Sequence, residues 1–433
     1  MMRSRKGLVA IQLAILGIVP LQAQAVRIDY AVDAGLERND NVLMSADDAQ
    51  SSSAVRAGFG FVVAEDTSTV QAHVGGRFEY WNYVDGPQTN AFETSLAGRL
   101  NWFIVPETLS FTIEDSLEMR PIDRFVPDTA ENRQRVNVLS LGPNLHFNFS
   151  ESFRGRFELR WIDSNAEITD ELQSERLSAA LHAVRELDST SSLTFSLRGQ
   201  DVDFANDVVV HDYRRYDAYA RYQKTLSRLS FGVDLGHSWV DFKDGRSSTY
   251  PLVRGDIHWR AADRHALSLL LAHQLSDSAT AALEGIGVAA EVPQNLVGGS
   301  STINASIYED NRADLSYSFD GERLSFSLGP YYERIEYLDS LAFDETRRGA
   351  LFEAAYRLAP TWDLRGFVDV SRSRFPDLGR STRDTRAGLA LDKAWARHWS
   401  SSLQYSRYQR EGDGLIGDSR QNIWYLTVVY RNR

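Results

Sequence analysis

Residues 70–80 read VQAHVGGRFEY, and the positions in step with Val70 and Tyr80 are apolar or small. The intervening positions include His73, Arg77 and Glu79. Because successive side chains of a β-strand point to opposite faces, this run predicts a strand with one apolar and one charged face. The run follows a tight polar link, EDTS at residues 65–68.

The same alternation recurs in about twenty segments between residues 26 and 433, and the links between them are short and long in turn. Long links include residues 84–90, 120–133 and 275–311, and they are rich in Gly, Asp and Asn. The short links carry turn-forming residues. They fall at residues 65–68, 105–108, 150–152, 187–190, 226–228, 261–264, 320–323, 358–361 and 396–398.

An even number of long strands with turns of alternating length is typical of a transmembrane antiparallel β-barrel. The charged faces of so many strands can share a common centre only if that centre holds water. We therefore predict an all-β barrel of about 20 strands, with 18 as the alternative, short periplasmic turns and long extracellular loops. Its apolar face is expected to contact outer-membrane lipid.

Residues 1–25 have the pattern of a secretory signal peptide. Arg3, Arg5 and Lys6 precede an apolar run from Leu8 to Leu21, and AQA at residues 23–25 follows. The predicted organisation is a signal peptide at 1–25 and an outer-membrane barrel at 26–433, in a Gram-negative cell.

Composition excludes several classes of function. The chain has no cysteine, which rules out disulfides, thiolate metal sites and cysteine nucleophiles. Removal of residues 1–25 takes away three positive charges and lowers the formal net charge from −12 to −15, which argues against nucleic-acid binding. Only four of the 47 basic residues are lysines, a bias that hints at a wet, charged interior with planar guanidinium donors.

Aromatic residues lie near the ends of the segments, as in the girdles that barrels place at the two lipid–water boundaries. We predict such girdles from Tyr80, Trp81, Tyr83, Trp102, Phe103, Trp161, Trp239, Trp259, Trp362, Trp395, Trp399, Trp424 and Tyr425.

Charged residues of the predicted inner face are the candidates for function. Rings of charged side chains determine what a pore passes, although arginine and glutamate can also simply pair across strands to stabilise the wall. The predicted pore-lining residues are Arg154, Arg156, Glu158, Arg160, Arg198, Asp217, Tyr219, Arg221, Arg254, Asp256, Arg260 and Arg365.

The link at residues 275–311 is the longest, and its ATAALE sequence at residues 279–284 predicts a short helix. Loops of this length are usually functional or disordered. Two interpretations stay open: a loop that folds inward and constricts the lumen, and an extracellular flap.

Catalytic chemistry is not expected. The nine histidines are scattered, and neither a nucleophile elbow nor a phosphate-binding loop occurs. Acidic pairs such as Asp47 and Asp48 are typical of solvated loops rather than of a metal site. The sequence therefore predicts no enzyme, no cofactor and no metal.

Residues 35–42 read GLERNDNV, a glycine-containing strand followed by an Asn-Asp-Asn turn. This opening resembles that of outer-membrane β-barrel porins of the "porin 2" type, which include barrels encoded with exopolysaccharide operons. The resemblance implies an outer-membrane channel and export of a secreted polysaccharide, and it brings no catalytic residues.

These observations favour a channel in the outer membrane for passage or export of a polar polymer such as exopolysaccharide. A general diffusion porin for small hydrophilic solutes and a structural barrel with a plugged lumen are the alternatives. The expected partners are outer-membrane lipid, the barrel assembly machinery, the polysaccharide and an export complex. No nucleic acid is expected.

Overall fold

The structure is a computed structural model and describes residues 26–123, 126, 129–206, 210–288, 305–338, 344–413 and 417–433. The predicted signal peptide lies outside the described residues. Twenty strands account for most of the described chain. They are β1 (Arg27–Asn39), β2 (Ser52–Asp66), β3 (Val70–Tyr83), β4 (Ala91–Val105), β5 (Leu109–Pro121), β6 (Arg133–Ser150), β7 (Phe153–Ala166), β8 (Ser174–Asp188), β9 (Ser191–Phe204), β10 (Tyr213–Thr225), β11 (Leu229–Phe242), β12 (Ser247–Ala262), β13 (His265–Ser276), β14 (Tyr308–Asp320), β15 (Leu324–Tyr337), β16 (Glu345–Ala359), β17 (Trp362–Phe375), β18 (Arg380–Ala394), β19 (Trp399–Gly412) and β20 (Ser419–Arg431).

Each strand pairs antiparallel with its neighbours in sequence, and β1 pairs with β20. The sheet is therefore a closed barrel, and the prediction of 20 strands rather than 18 is confirmed. Strands spaced about 4.8 Å apart and tilted by about 40° give a barrel of this number a backbone diameter of about 40 Å. Such a barrel is wide enough to enclose a lumen.

The links separate into two ends of the barrel. Between β2 and β3, and between β6 and β7, only a few residues intervene, whereas the connections from β5 to β6 and from β13 to β14 are long. We call these the turn end and the loop end. The predicted rhythm of short and long links is confirmed.

Register separates the two faces of the wall. On β9, Leu197 points outward with its side chain 58% exposed, while the neighbouring Ser196 points inward and is 3% exposed. Cross-strand partners keep the same parity all round the barrel, because an antiparallel register places paired residues on one face. The outer face is apolar and exposed, and the inner face carries the charges.

Aromatic rings form two belts on the outer face. Trp102, Trp259, Trp362 and Trp399 lie toward the turn end, and Tyr80, Trp161, Trp239 and Trp424 lie toward the loop end. The girdle prediction is wrong for four other rings, which point inward. These are Trp81, Tyr83, Phe103 and Tyr425. Three of them, Trp81, Phe103 and Tyr425, directly follow an outward aromatic residue in the sequence.

The repeated sequence SLGP, at residues 140–143 and 327–330, interrupts the ladder at both places. The register pairs Leu141 with Trp161 and then Asn144 with Glu158, with no pairing between. Proline has no N–H to donate, so a ladder bond is lost. The register is the same on both sides of each gap, so neither site is a β-bulge.

Helical structure is minor. Helix α1 (Ser278–Glu284) follows β13 and continues into a 3₁₀ turn at Gly285–Val288. Within the described ranges, no α-helix has the length and apolarity that a membrane crossing needs.

The orientation of the wall makes a testable prediction at adjacent positions on β19. Leu403 is outward and 47% exposed, and Gln404 is inward. We expect Leu403→Arg to cost about 2–4 kcal/mol of barrel stability, because an arginine on a face that contacts lipid, as the sequence predicts, must leave water. Gln404→Arg is the matched control and should cost much less. Urea unfolding in lipid vesicles measures both, and equal losses would contradict the assigned faces.

Candidate functional site

The inner wall is the candidate site, and the structure places all twelve predicted pore-lining residues on it. Cross-strand pairing unites several of them on one face: Arg198 lies opposite Asp217, and Arg221 lies opposite Asp234. Arg154 and Arg260 lie near the turn end and are exposed. A role of these residues in solute passage stays a prediction.

Strands β10–β12 carry a chain of alternating charges. Arg221 reaches Asp234 at 3.1 Å and Asp256 at 2.6 Å, and Arg254 Nε lies 2.7 Å from the second oxygen of Asp234. The Arg254 guanidinium also stacks over the Tyr219 ring, 5.0 Å from its centroid. These arginines are held by carboxylates, so their first effect is to brace the wall.

A second cluster centres on Glu158 of β7. Arg156 Nε lies 2.6 Å from this carboxylate and Arg160 Nη2 lies 3.5 Å from it. Arg160 also donates to the side chain of Asn144 and to the carbonyl oxygen of Pro143, at the gap left by the proline. The gap in the ladder is thus satisfied by a lumen arginine.

Arg198 differs from these arginines. Its Nε donates to Ser178 Oγ at 3.3 Å. Its cross-strand neighbour Asp217 is taken by Arg215 at 2.8 Å and by Ser238 at 2.6 Å. Within the described chain Arg198 forms no ion pair. Its guanidinium is therefore available to a ligand in the lumen.

At the remaining predicted position, Arg365 donates to both carboxylate oxygens of Asp392, from Nε at 2.5 Å and from Nη2 at 2.9 Å. Asp392 lies on β18 and shares the inward face. This bidentate geometry fixes the arginine against the wall.

The described part of the 275–311 link turns inward. Ala279 and Ala282 of α1 pack against Val138 of β6 and Ile162 of β7, both inward residues. Helix α1 therefore lies inside the barrel. Residues 289–304 of the same link lie outside the described residues.

Asp277 holds α1 in this position. Its carboxylate accepts from the guanidinium of Arg176 on β8, and its Oδ1 accepts from the backbone N–H groups of Ala279 and Thr280 at the start of α1. Burial disfavours the charged carboxylate, but Arg176 and Thr280 outweigh that cost and lower the pKa of Asp277 to about 2. We call Asp277 with Arg176 the α1 latch.

A cavity of about 580 Å³ lies between α1 and the wall of β3–β10. Its lining includes five arginines and three carboxylates. The lining also has an aromatic ring from Tyr219 and two imidazoles from His146 and His182. The lining suits a polar ligand with hydroxyl groups and negative charge.

Buried apolar side chains occupy the loop end of the lumen between β6 and β13. Strand ends contribute Val202, Phe204 and Val240, and loop residues Ala305 and Ile307 pack against them. We call this the mouth cluster. On the other side of the lumen, Arg410 of β19 donates to the carbonyl oxygen of Val126, so the loop after β5 also reaches across the interior.

Sequence analysis missed a buried ion-pair quartet on β1–β3. Arg56 contacts Asp33 at 2.8 Å and Glu79 at 3.0 Å, and Arg77 contacts the same two carboxylates. Gly58 makes the room, since a Cβ there would lie 2.6 Å from Asp33 Oδ1. The sequence feature that could have predicted this quartet is that its four charged residues all lie on the inward parity of three consecutive strands.

Two inward aromatic rings cover this quartet. The Arg56 guanidinium lies 4.5 Å from the centroid of Tyr425 and 5.5 Å from that of Trp81. Arg56 is only 2% exposed. The inward rings that the girdle prediction misplaced thus stack on a buried cation.

Among the described residues, no group of three or more His, Cys, Asp or Glu side chains is arranged to hold a metal ion.

Comparison of the sequence with protein-family profiles and with curated proteins gives no match. Solved structures do match by fold. The siderophore receptor PirA from Pseudomonas aeruginosa is 10% identical, with a TM-score of 0.46, over 95% of this chain and 81% of the receptor. OccK2 (OpdF) of the same organism is 10% identical, with a TM-score of 0.40, over 94% of this chain and 100% of its own. The FrpB iron transporter from Neisseria meningitidis (F5-1 variant) is 9% identical, with a TM-score of 0.43, over 93% of this chain and 82% of the transporter. At these identities and scores, the likenesses assign neither a family nor a cargo to this chain.

Proposed function

We propose that this chain is an outer-membrane channel for passage or export of a polar polymer such as an exopolysaccharide. The observation that carries the proposal is the contrast between the two faces of the wall. The outer face is apolar between two aromatic belts, as a lipid-facing surface requires, and the inner face is polar. The short turns then lie in the periplasm and the long loops outside the cell.

Features of the lumen favour a polymer over small solutes. The charged pairs and the Tyr219 ring offer many weak sites along the wall, which suits movement of a chain from site to site. Helix α1 and the mouth cluster narrow the lumen at the loop end. The buried latch of Asp277 with Arg176 keeps α1 against the inner wall. The proposed channel is therefore nearly closed at rest.

The mouth cluster favours one other candidate function, a structural barrel with a plugged lumen. Its residues are almost completely buried, with Val202 and Val240 at 0% exposure. A permanent plug predicts no conductance under any condition, whereas a channel predicts openings once its partners or its cargo are present.

An export complex on the periplasmic side and the barrel assembly machinery are the proposed partners.

The test combines gene deletion with electrical recording. Deletion should abolish the surface polymer, and the purified barrel should show rare, small openings in planar bilayers. Complementation with Arg198→Gln should restore less polymer than complementation with Arg228→Gln, because Arg228 lies on an exposed turn at the turn end. Unchanged polymer after deletion together with large steady conductance would contradict export and favour a diffusion porin.

A further inference from the structure

Three arginines face outward side by side near the loop end of β16–β18. Arg348 lies directly opposite Arg372, and Arg372 lies directly opposite Arg383. All three are exposed. Like charges directly opposite each other on one face of a sheet are destabilising. We call these three residues the arginine row.

The arginine row forms no ion pair of its own. Within the described chain, none of the three guanidinium groups forms an ion pair or a hydrogen bond. The nearest acid in the ladder is Glu411, the cross-strand partner of Arg383, and its Oε1 accepts from Gln409 instead.

Three outward arginines at the loop end of other strands are partnered. Arg38 pairs with Asp85 at 3.2 Å, Arg135 with Glu167 at 2.7 Å and Arg214 with Asp201 at 3.3 Å. These three lie on β1, β6 and β10, away from the arginine row. The contrast sets the arginine row apart from these three outward arginines, each of which has a carboxylate beside it.

The position of the arginine row along the barrel axis indicates which ligand could neutralise its positive charges. On β17 the outward residues Leu364, Val368 and Val370 are apolar, and Arg372 follows directly toward the loop end. On β16, which runs in the opposite direction, Arg348 likewise lies on the loop-end side of the outward Ala350 and Phe352. The row therefore lies just beyond the apolar band, at the level where lipid headgroups meet water.

We propose that the arginine row binds the phosphate groups of a phosphorylated glycolipid in the outer leaflet. The planar guanidinium fork matches phosphate oxygens bidentately, and adjacent arginines suit a headgroup with more than one phosphate. The apolar band beneath takes the acyl chains. The inference rests on the membrane placement proposed above and not on the cargo.

The test compares two triple variants of the full barrel in detergent micelles. One is Arg348→Gln with Arg372→Gln and Arg383→Gln, and the control is Arg38→Gln with Arg135→Gln and Arg214→Gln. Both remove three positive charges from the outer face. The probe is diphosphorylated lipid A, titrated in mixed micelles and followed by native mass spectrometry. We expect the first triple to bind it at least tenfold more weakly and the control to stay within twofold of the parent.

Thermal unfolding gives a second measurement that guards against misfolding. Without the lipid, the first triple should unfold at the same temperature as the parent or higher, because like-charge repulsion is relieved. With the lipid, only the parent and the control should gain stability. Equal weakening of both triples, binding of dephosphorylated lipid A as tight as that of the diphosphorylated form, or full competition by inorganic phosphate at equal concentration would overturn the proposal. Conductance recordings are independent of this assay, so either proposal can fail alone.

Discussion

Replacing Asp277 by alanine is expected to raise the conductance of the purified barrel several-fold. The substitution leaves Arg176 buried without its carboxylate and removes the acceptor for two N–H groups at the start of α1. Breaking a buried pair costs about 3–5 kcal/mol, and losing an N-cap costs about 0.5–2 kcal/mol. A seven-residue helix has little stability of its own. Helix α1 should therefore leave the wall while the barrel stays intact.

Single-channel recording in planar bilayers measures this effect, and heat-modified electrophoretic mobility confirms the folded barrel. Asp244→Ala is the matched control, since Asp244 pairs with Arg246 on the loop between β11 and β12, away from α1. Unchanged conductance of Asp277→Ala would show that α1 does not limit the passage.

The same latch gives a pH dependence. The pKa of Asp277 in the folded protein is about 2, below its ordinary value of 3.8. A carboxylate with a lowered pKa contributes stability above its ordinary pKa and loses it as the pH falls through the folded value. Conductance of the parent should be constant between about pH 8 and pH 5, and should rise only near pH 3 and below.

Replacing Arg56 by methionine is expected to cost about 3–5 kcal/mol of barrel stability, because Asp33 and Glu79 would keep two buried negative charges with only one of their two shared arginines. Asp33 is 4% exposed and Glu79 is 9% exposed, so water replaces little of the loss. Arg77 stays in contact with both carboxylates but cannot neutralise two of them.

Urea unfolding in vesicles measures the loss. The control is Arg27→Met, which removes an arginine that is 66% exposed and pairs with Asp29 at 2.6 Å. Exposed pairs contribute about 0–1 kcal/mol. Similar midpoints for the two variants would mean that the quartet contributes no more than a surface pair.

Strand number and orientation were predictable because they depend on a local pattern. A twofold period places Leu197 and Ser196 on opposite faces whatever the rest of the chain does. The aromatic girdles needed the same rule applied one residue at a time. Tyr80 and Trp81 are adjacent, so only one of them can lie on the outer face. Counting aromatic residues near the segment ends does not distinguish the two.

Contacts across the lumen could not be read from the sequence. Arg176 and Asp277 are 101 residues apart, and no local feature links them. The direction of the 275–311 link was open for the same reason. The arginine row is different, since Arg348, Arg372 and Arg383 each lie on the outward parity near the loop end of a strand, but their alignment depends on the register of three strands.

The pairing of β1 with β20 has a consequence for how the molecule is made. Nine residue pairs join these strands, from Ala31 with Arg431 to Asn39 with Ile423, whereas twelve join β19 to β20. The partners of this seam are about 400 residues apart, so one edge of β1 stays unpaired until nearly all of the chain has been delivered. During that time both edges of the sheet can capture other strands. The free edge of β1 therefore has to be shielded while the rest of the chain is synthesised. In the finished barrel, the seam between β1 and β20 is the place where the wall would open most easily.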